Sequence, residues 1–174
     1  KDGTYYTTSF DLSNRYQGDL LKIEKLDSNK VYTALYYDKA VAAFYVKRFS
    51  FDVSDNTPVS FISDAKGSYL VAISDDKHPQ IEVIFGGKNE HREPELIDAE
   101  GFIAKKGLQA KGKKTSQYDV KKVQFIEPLH KPEDDILPIS SEAENQAGEI
   151  ENYEPTDSEP FDLTIDDDPQ LTLF

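Results

Sequence analysis

The 174-residue sequence contains no cysteine, no methionine and no tryptophan. Without cysteine the chain has no disulfide, no thiolate metal site and no thiol redox chemistry, which fits a reducing compartment, so we expect a cytoplasmic protein. No apolar run is long enough to cross a membrane and no signal peptide opens the sequence, so we expect no membrane partner. Because the sequence starts at Lys1 without any methionine, we expect a fragment of a longer protein.

Motifs for catalysis are also missing. The three histidines, His78, His91 and His130, lie far apart and lack the spacing of metal ligands. No phosphate-binding Gly-Lys-Ser/Thr loop and no Gly-x-Ser-x-Gly elbow occur, and the adjacent acidic pairs have no partner base. We therefore expect no catalytic residue, no metal site and no cofactor in this chain.

The formal net charge of −13 comes from the last 44 residues. Residues 131–174 hold 14 acidic residues and one lysine, whereas residues 1–130 hold 19 acidic and 19 basic residues. The last 44 residues also contain five of the nine prolines and three of the 20 aromatic residues, too little apolar surface to offset chain entropy. The sequence therefore predicts a folded domain at residues 1–130 and an acidic, disordered tail at residues 131–174.

Residues 1–130 have the pattern of β-strands. Residues 80–85 alternate between apolar and polar side chains, and the other predicted strands are rich in Val, Ile, Tyr and Phe: residues 20–26, 31–37, 44–51, 68–74 and 118–126. In the last of these the alternation shifts at Lys121 and Lys122, which predicts a β-bulge. Residues 96–104 predict one short helical turn at most. The predicted fold class is all-β, built from antiparallel hairpins.

Two stretches form a weak internal repeat. Residues 31–39 lead into residues 44–49, and about 37 residues later residues 68–77 lead into residues 80–85; each unit is predicted to be a hairpin with an Asp/Lys turn. Hairpins that recur at this spacing favour propeller-like blades over a single sandwich. The alternative is that any two amphipathic hairpins look alike.

A basic glycine-containing loop precedes the last predicted strand of the domain. Seven lysines lie between residues 105 and 122, and Gly107 and Gly112 are predicted to permit positive φ and a tight, exposed bend. Such a loop can place ammonium groups and backbone amides along a phosphate chain, but without arginine it is poorly suited to reading bases. The alternative is a solvated lysine-rich turn that binds nothing.

Three stretches resemble one known family. They are the Gly-x-x-Ala-x-Gly pattern of residues 107–112, the Tyr-Val-Lys-Arg-Phe stretch of residues 45–49, and the Val-Lys-Lys-Val-Gln-Phe-Ile-Glu-Pro stretch of residues 120–128. Together they resemble the C-terminal domain of bacterial type IIA DNA topoisomerase A subunits, most closely that of topoisomerase IV in Bacteroides-like bacteria. The resemblance covers residues 1–128. The gyrase box Gln-Arg-Arg-Gly-Gly-Lys-Gly is absent from the sequence, which favours topoisomerase IV over gyrase.

The resemblance implies a fold, a function and a set of contacts. The fold would be a β-pinwheel of propeller-like blades, in this chain two or three of them, whose basic rim bends or wraps double-stranded DNA. Strand passage would occur in an upstream domain of an ATP-dependent parent enzyme that also contains the topoisomerase IV B subunit. The implied DNA-binding residues are Lys105, Lys106, Gly107, Lys111, Gly112, Lys113 and Lys114, with Lys47 and Arg48 as a weaker second patch.

The acidic stretch is followed by an apolar peptide, Gln-Leu-Thr-Leu-Phe at residues 170–174. It resembles the short peptide by which bacterial replication and repair proteins dock onto the sliding clamp. In that interpretation Leu171, Leu173 and Phe174 fill an apolar pocket, Gln170 bonds at its rim and the tail is the tether of a protein-interaction adaptor. The alternative is that this peptide folds back onto the domain or has no role.

The acidic stretch itself has two interpretations. As a regulator it competes with DNA phosphates for the lysine-rich loop, lowering DNA affinity and sharpening its salt dependence. Otherwise it is a solvating tail that prevents aggregation.

Overall fold

The computed structural model describes residues 1–11, 13–16, 19–127 and 170–173, which belong to one compact unit. Their elements in chain order are β1 (Thr4–Thr8), β2 (Lys22–Lys25), β3 (Tyr32–Asp38), β4 (Ala43–Phe49), β5 (Val59–Ser60), β6 (Tyr69–Ser74), β7 (Gln80–Phe85), a 3-10 turn (Gly87–Asn89), β8 (Glu95–Asp98), α1 (Ala99–Phe102), β9 (Lys113–Lys114), β10 (Val120–Ile126) and β11 (Gln170–Leu173). Within these residues no helix is long and apolar enough to span a membrane.

The strands form three antiparallel sheets. Sheet A has the order β2-β11-β1-β5, sheet B the order β6-β3-β4-β9, and sheet C the order β10-β7-β8. The all-β prediction is confirmed, as are the helical turn, found as α1, and the bulge, found as a register shift between Val120 and Lys122. The arrangement of the three sheets as propeller blades stays a prediction.

One predicted hairpin is confirmed and one is wrong. β3 and β4 pair along their full length, from Tyr32 opposite Phe49 to Asp38 opposite Ala43. β6 and β7, predicted to pair with each other, lie in different sheets: β6 pairs with β3, and β7 pairs with β8 and β10. β7 is the central strand of sheet C, so both of its edges are already paired and none is left for β6.

Sheet B separates two cores because alternate residues of a strand face opposite sides. On one side Leu35, Phe44 and Val46 pack against sheet C, in a cluster that we call the sheet C core. On the other side lies an aromatic core shared with sheet A, made of Tyr5, Tyr32, Ala34, Phe49, Phe51, Phe61, Leu70, Leu171 and Leu173. All seven residues of β4 are buried, so β4 is the strand around which both cores are built.

Strand β11 completes sheet A. It pairs with β1 on one side, from Tyr5 opposite Leu173 to Thr8 opposite Gln170, and with β2 on the other. Leu171 and Leu173 are fully buried in the aromatic core. Of the interpretations given for the terminal peptide, the structure therefore shows residues 170–173 folded back onto the domain.

A charged cluster ties β2 to sheet B. The Lys22 ammonium lies 2.7 Å from Asp75, the Lys30 ammonium lies 2.7 Å from Glu24, and Lys30 also pairs with Asp75. Burial opposes ionisation of the Asp75 carboxyl, but its hydrogen bonds to both lysines outweigh burial and lower the pKa of Asp75 to about 2. The cluster holds the edge strand of sheet A against the end of β6.

Candidate nucleic-acid interface

Residues 104–115, which we call the lysine loop, run along the free edge of β4. The Lys106 N–H donates to Arg48 O at 2.8 Å, β9 pairs with Tyr45 and Val46, and the Thr115 N–H donates to Phe44 O at 3.0 Å. The loop is thus fixed at both ends to the backbone of a fully buried strand. Its lysines project from the edge of sheet B.

Gly112 brings the loop close to β4. A Cβ at this position would lie 2.5 Å from Val46 O and 3.3 Å from a ring carbon of Tyr36. The Gly112 N–H donates to the Tyr36 hydroxyl at 3.3 Å. Gly107 has no neighbour within 4 Å of its Cβ position, and neither glycine has a positive φ. The expected left-handed bend is therefore wrong; only Gly112 is required, and for close approach rather than for backbone conformation.

Lys47 supports the loop from below instead of facing solvent. Its side chain points into the domain, and the residue is 4% exposed. The Lys47 ammonium donates to Phe61 O at 2.7 Å and to Leu108 O of the lysine loop, and it lies 5.2 Å from the centre of the Phe49 ring. Carbonyl oxygens beneath the loop thus hold the Lys47 ammonium away from the surface, and a contact of Lys47 with DNA stays a prediction.

Arg48 is likewise buried, at 8% exposure, with its Nη2 3.6 Å from Glu100 of α1. Its Nε has no hydrogen-bond partner among the described residues. Its carbonyl oxygen, rather than its charge, meets the loop through Lys106. The second basic patch expected at Lys47 and Arg48 therefore does not lie on the surface.

Burial lowers the pKa of Lys47 to about 8. Below pH 8 the Lys47 amine is protonated in both the folded and the unfolded chain. From pH 8 to about 10.5 it stays protonated in the unfolded chain but loses its proton in the folded chain. Because the unfolded chain then binds more protons, the free energy of unfolding rises with pH in this range. We expect the free energy of unfolding of the wild type, relative to that of Lys47→Met, to rise by roughly 3 kcal/mol across this window. Urea denaturation followed by circular dichroism at several pH values measures this difference, and a flat difference contradicts the assignment.

The five lysines of the loop itself are all exposed. Two also contact the protein: the Lys111 ammonium lies 3.7 Å from Asp38 and 5.0 Å from the Tyr45 ring centre, and the Lys113 ammonium donates to Phe102 O at 3.1 Å. The other three, Lys105, Lys106 and Lys114, form no ion pair with a described residue. These three ammonium groups are the most available for a negatively charged partner.

The sequence reveals the loop lysines but not the residues that hold them in place. Tyr36 and Leu108 position the loop, Tyr36 through Gly112 and Leu108 through its packing on the aromatic core. Tyr36 is 76 residues from Gly112 in the sequence, so no local pattern reveals the contact. Lys122 on β10 belongs to the same lysine run and is also exposed, although it is not among the predicted contacts.

The structure places the predicted docking peptide in β11. Leu171 and Leu173, which would fill a partner's pocket, are 0% and 1% exposed in the aromatic core. The side chain of Gln170, and the whole of Phe174, lie outside the described residues. Docking of this peptide onto a sliding clamp stays a prediction for a state in which β11 has left sheet A.

The described residues contain no group of three or more His, Cys, Asp or Glu side chains that could hold a metal ion. What the lysine loop offers is a set of exposed positive charges on a fixed backbone. Such a set suits the binding of a polyanion.

Comparison with known proteins connects this site to a family. A family model for the topoisomerase C-terminal domain of Bacteroidota matches residues 1–127, about three quarters of the chain. No curated protein and no solved structure gives a significant match. The matched residues include the whole lysine loop and ten of the eleven strands. The chain belongs to the Bacteroidota topoisomerase C-terminal domain family.

Proposed function

We propose that this chain is the non-catalytic, DNA-binding C-terminal part of the topoisomerase IV A subunit, and that the lysine loop contacts the phosphates of double-stranded DNA. One observation supports this more than any other: exposed lysines project from a loop whose backbone is pinned to the edge of a buried strand. A pinned loop loses little conformational entropy when it meets a phosphate chain, so more of the electrostatic attraction appears as affinity.

Lys105, Lys106 and Lys114 are the main phosphate contacts in this proposal. Lys111 and Lys113 contribute charge from positions that are partly held by Asp38 and Phe102. Gly112 lets the loop approach β4 closely, and Lys47 and Arg48 act as its support. Since lysines contact phosphates as point charges, binding is independent of base sequence and falls steeply with salt.

The acidic stretch modulates this binding. All 14 of its acidic residues lie between Glu127 and Gln170. Glu127 directly follows β10, and Gln170 is the first residue of β11. Both ends of the stretch are therefore attached to the same compact unit. Attachment raises the local concentration of carboxylates near the lysine loop, where they compete with DNA phosphates.

The parent enzyme in this proposal is an ATP-dependent type II topoisomerase of the cytoplasm. The present chain holds a second DNA segment for it, and the topoisomerase IV B subunit is its other partner. The catalytic residues belong to other parts of that enzyme.

The test is duplex binding by the chain with Lys105, Lys106 and Lys114 all changed to glutamine. Removing one phosphate contact reduces the steepness of log K against log salt concentration by about 0.9, so removing three reduces it by about 2.7. We expect duplex affinity in low salt to fall by about 100-fold or more. Fluorescence anisotropy with a labelled duplex at four salt concentrations measures both quantities.

A matched variant controls for total charge. Changing Lys66, Lys77 and Lys88 to glutamine removes the same three charges from exposed positions outside the loop. This control should keep the wild-type salt dependence and lose little affinity. Equal losses in the two variants would mean that net charge, rather than the loop, governs binding.

A further inference from the structure

Strand β11 is a separate piece of chain inserted into a slot between two other strands. β2 has no strand partner other than β11 in the part of the chain that the structure describes, and β1 otherwise pairs with β5 at Thr4 and Tyr5 alone. Without β11, the ladder edges of β1 and β2 would face each other across a gap one strand wide. The slot is the kind of site that binds an extended peptide by adding a strand to a sheet.

The slot also has side-chain specificity. Leu171 and Leu173 enter the aromatic core from one face of β11, and the same core contains Tyr5, Phe51 and Phe61. The side chain between them, Thr172, is fully buried, and its hydroxyl has no hydrogen-bond partner among the described residues. The backbone ladder and the burial of two leucines thus hold the strand, and the ligand is defined as an extended Leu-x-Leu peptide.

The aromatic core that β11 completes also holds the lysine loop. Leu108 of the loop packs on this core, the Lys47 ammonium joins Leu108 O to Phe61 O, and the side-chain amide of Gln109 lies 3.5 Å from Ser60 O. Removing two leucines from the core takes packing partners from the same cluster that fixes the loop. The sheet C core contains neither β11 nor Leu108, so it is independent of this change.

We propose that residues 170–173 are a detachable peptide ligand of the slot between β1 and β2, and that occupancy of the slot orders the lysine loop through Leu108. When the peptide is in place, the loop is held against β4 and sheet A. When it leaves, the loop loosens while sheets B and C keep their fold. This coupling is a property of the free protein and does not depend on DNA binding.

Amide hydrogen exchange on the full chain tests the coupling. In Leu171→Ala/Leu173→Ala, the amides of Lys106 and Ala110, bonded to Arg48 O and Gly107 O, are expected to exchange about tenfold faster or more. Amides of β7 and β10 should keep their wild-type rates.

The matched control is Thr172→Val, which keeps the shape of the strand and removes the unpartnered hydroxyl. It should leave the exchange rates of the loop amides unchanged. Unchanged loop exchange in the double variant would overturn the coupling, and equal loss of protection in sheet C would overturn the idea of a detachable strand.

A cysteine lock provides an independent measurement. Tyr6 of β1 lies directly opposite Thr172 of β11. Because the chain has no native cysteine, the double substitution Tyr6→Cys/Thr172→Cys creates a single reversible disulfide between the two strands. A labelled peptide with the sequence of residues 168–174 should bind the double-alanine variant and should not bind the oxidised lock. Failure to bind the double-alanine variant, or equal binding to the oxidised lock, would exclude the slot as the peptide site.

Discussion

Replacing Phe51 with alanine is expected to lower the free energy of unfolding by about 3–5 kcal/mol, because a large aromatic side chain is removed from a closely packed core. The Phe51 ring is fully buried and contacts the rings of Tyr5, Tyr32, Phe49 and Phe61 at centroid distances of 4.5 to 5.5 Å. Its removal leaves a cavity between sheets A and B that four rigid rings fill poorly. Urea denaturation followed by circular dichroism measures the change.

Val53 provides the control for this substitution. It lies two residues further along the same segment but is 56% exposed. Val53→Ala should change the free energy of unfolding by less than about 0.5 kcal/mol. A small effect at Phe51 would mean that the aromatic core can collapse around the missing ring, or that it contributes less than its burial indicates.

Replacing Gly112 with alanine is expected to cost about 3 kcal/mol, at the upper end of the range for overpacking. The added Cβ would lie 2.5 Å from Val46 O, a backbone atom of a fully buried strand that has no rotamer by which to move away. The lysine loop must shift outward instead, which weakens its pairing with β4 and its bond to Tyr36. Denaturation and the exchange rate of the Thr115 amide both report this shift.

Gly107→Ala is the matched control, since its Cβ position has open space and its φ is not positive. It should leave stability and duplex affinity near the wild-type values. If the proposed function is correct, Gly112→Ala also weakens duplex binding while keeping every lysine. Equal behaviour of the two glycine variants would contradict the close approach at Gly112.

Much of the fold could be predicted from sequence because strand periodicity is local. The alternation in residues 80–85 predicts β7 at its observed bounds, and the broken alternation at Lys121 and Lys122 predicts the bulge in β10. β5 and β9 are two residues long, too short for any periodicity. No strand is predicted at β11 for a different reason. Its neighbours in the sequence are so acidic that composition predicts a tail, whereas in the structure two buried leucines anchor this four-residue strand between β1 and β2.

The exposed lysines of the candidate site could be predicted from the sequence, but the residues that hold the lysine loop in place could not. A run of lysines with glycine is visible in the sequence, and the structure shows those lysines exposed. Lys47 and Arg48 look the same in the sequence but lie on a strand buried on both faces. Whether a lysine in a strand reaches solvent depends on what covers that strand, and in this fold the cover comes from distant residues, those of the lysine loop itself and of α1.

The pairing of β1 with β11 joins residues from opposite ends of the sequence, and this affects how the protein is made. During synthesis β1 leaves the ribosome long before β11, the strand that pairs with it in the middle of sheet A. Until then sheet A exposes unpaired ladder edges and an incomplete aromatic core, features that promote aggregation of nascent chains. Closing so long a loop is entropically costly, so completion of sheet A is expected to be the final and slowest folding step, well after the local β3–β4 hairpin has formed. The highly charged stretch just before β11 would keep the waiting chain soluble during that interval.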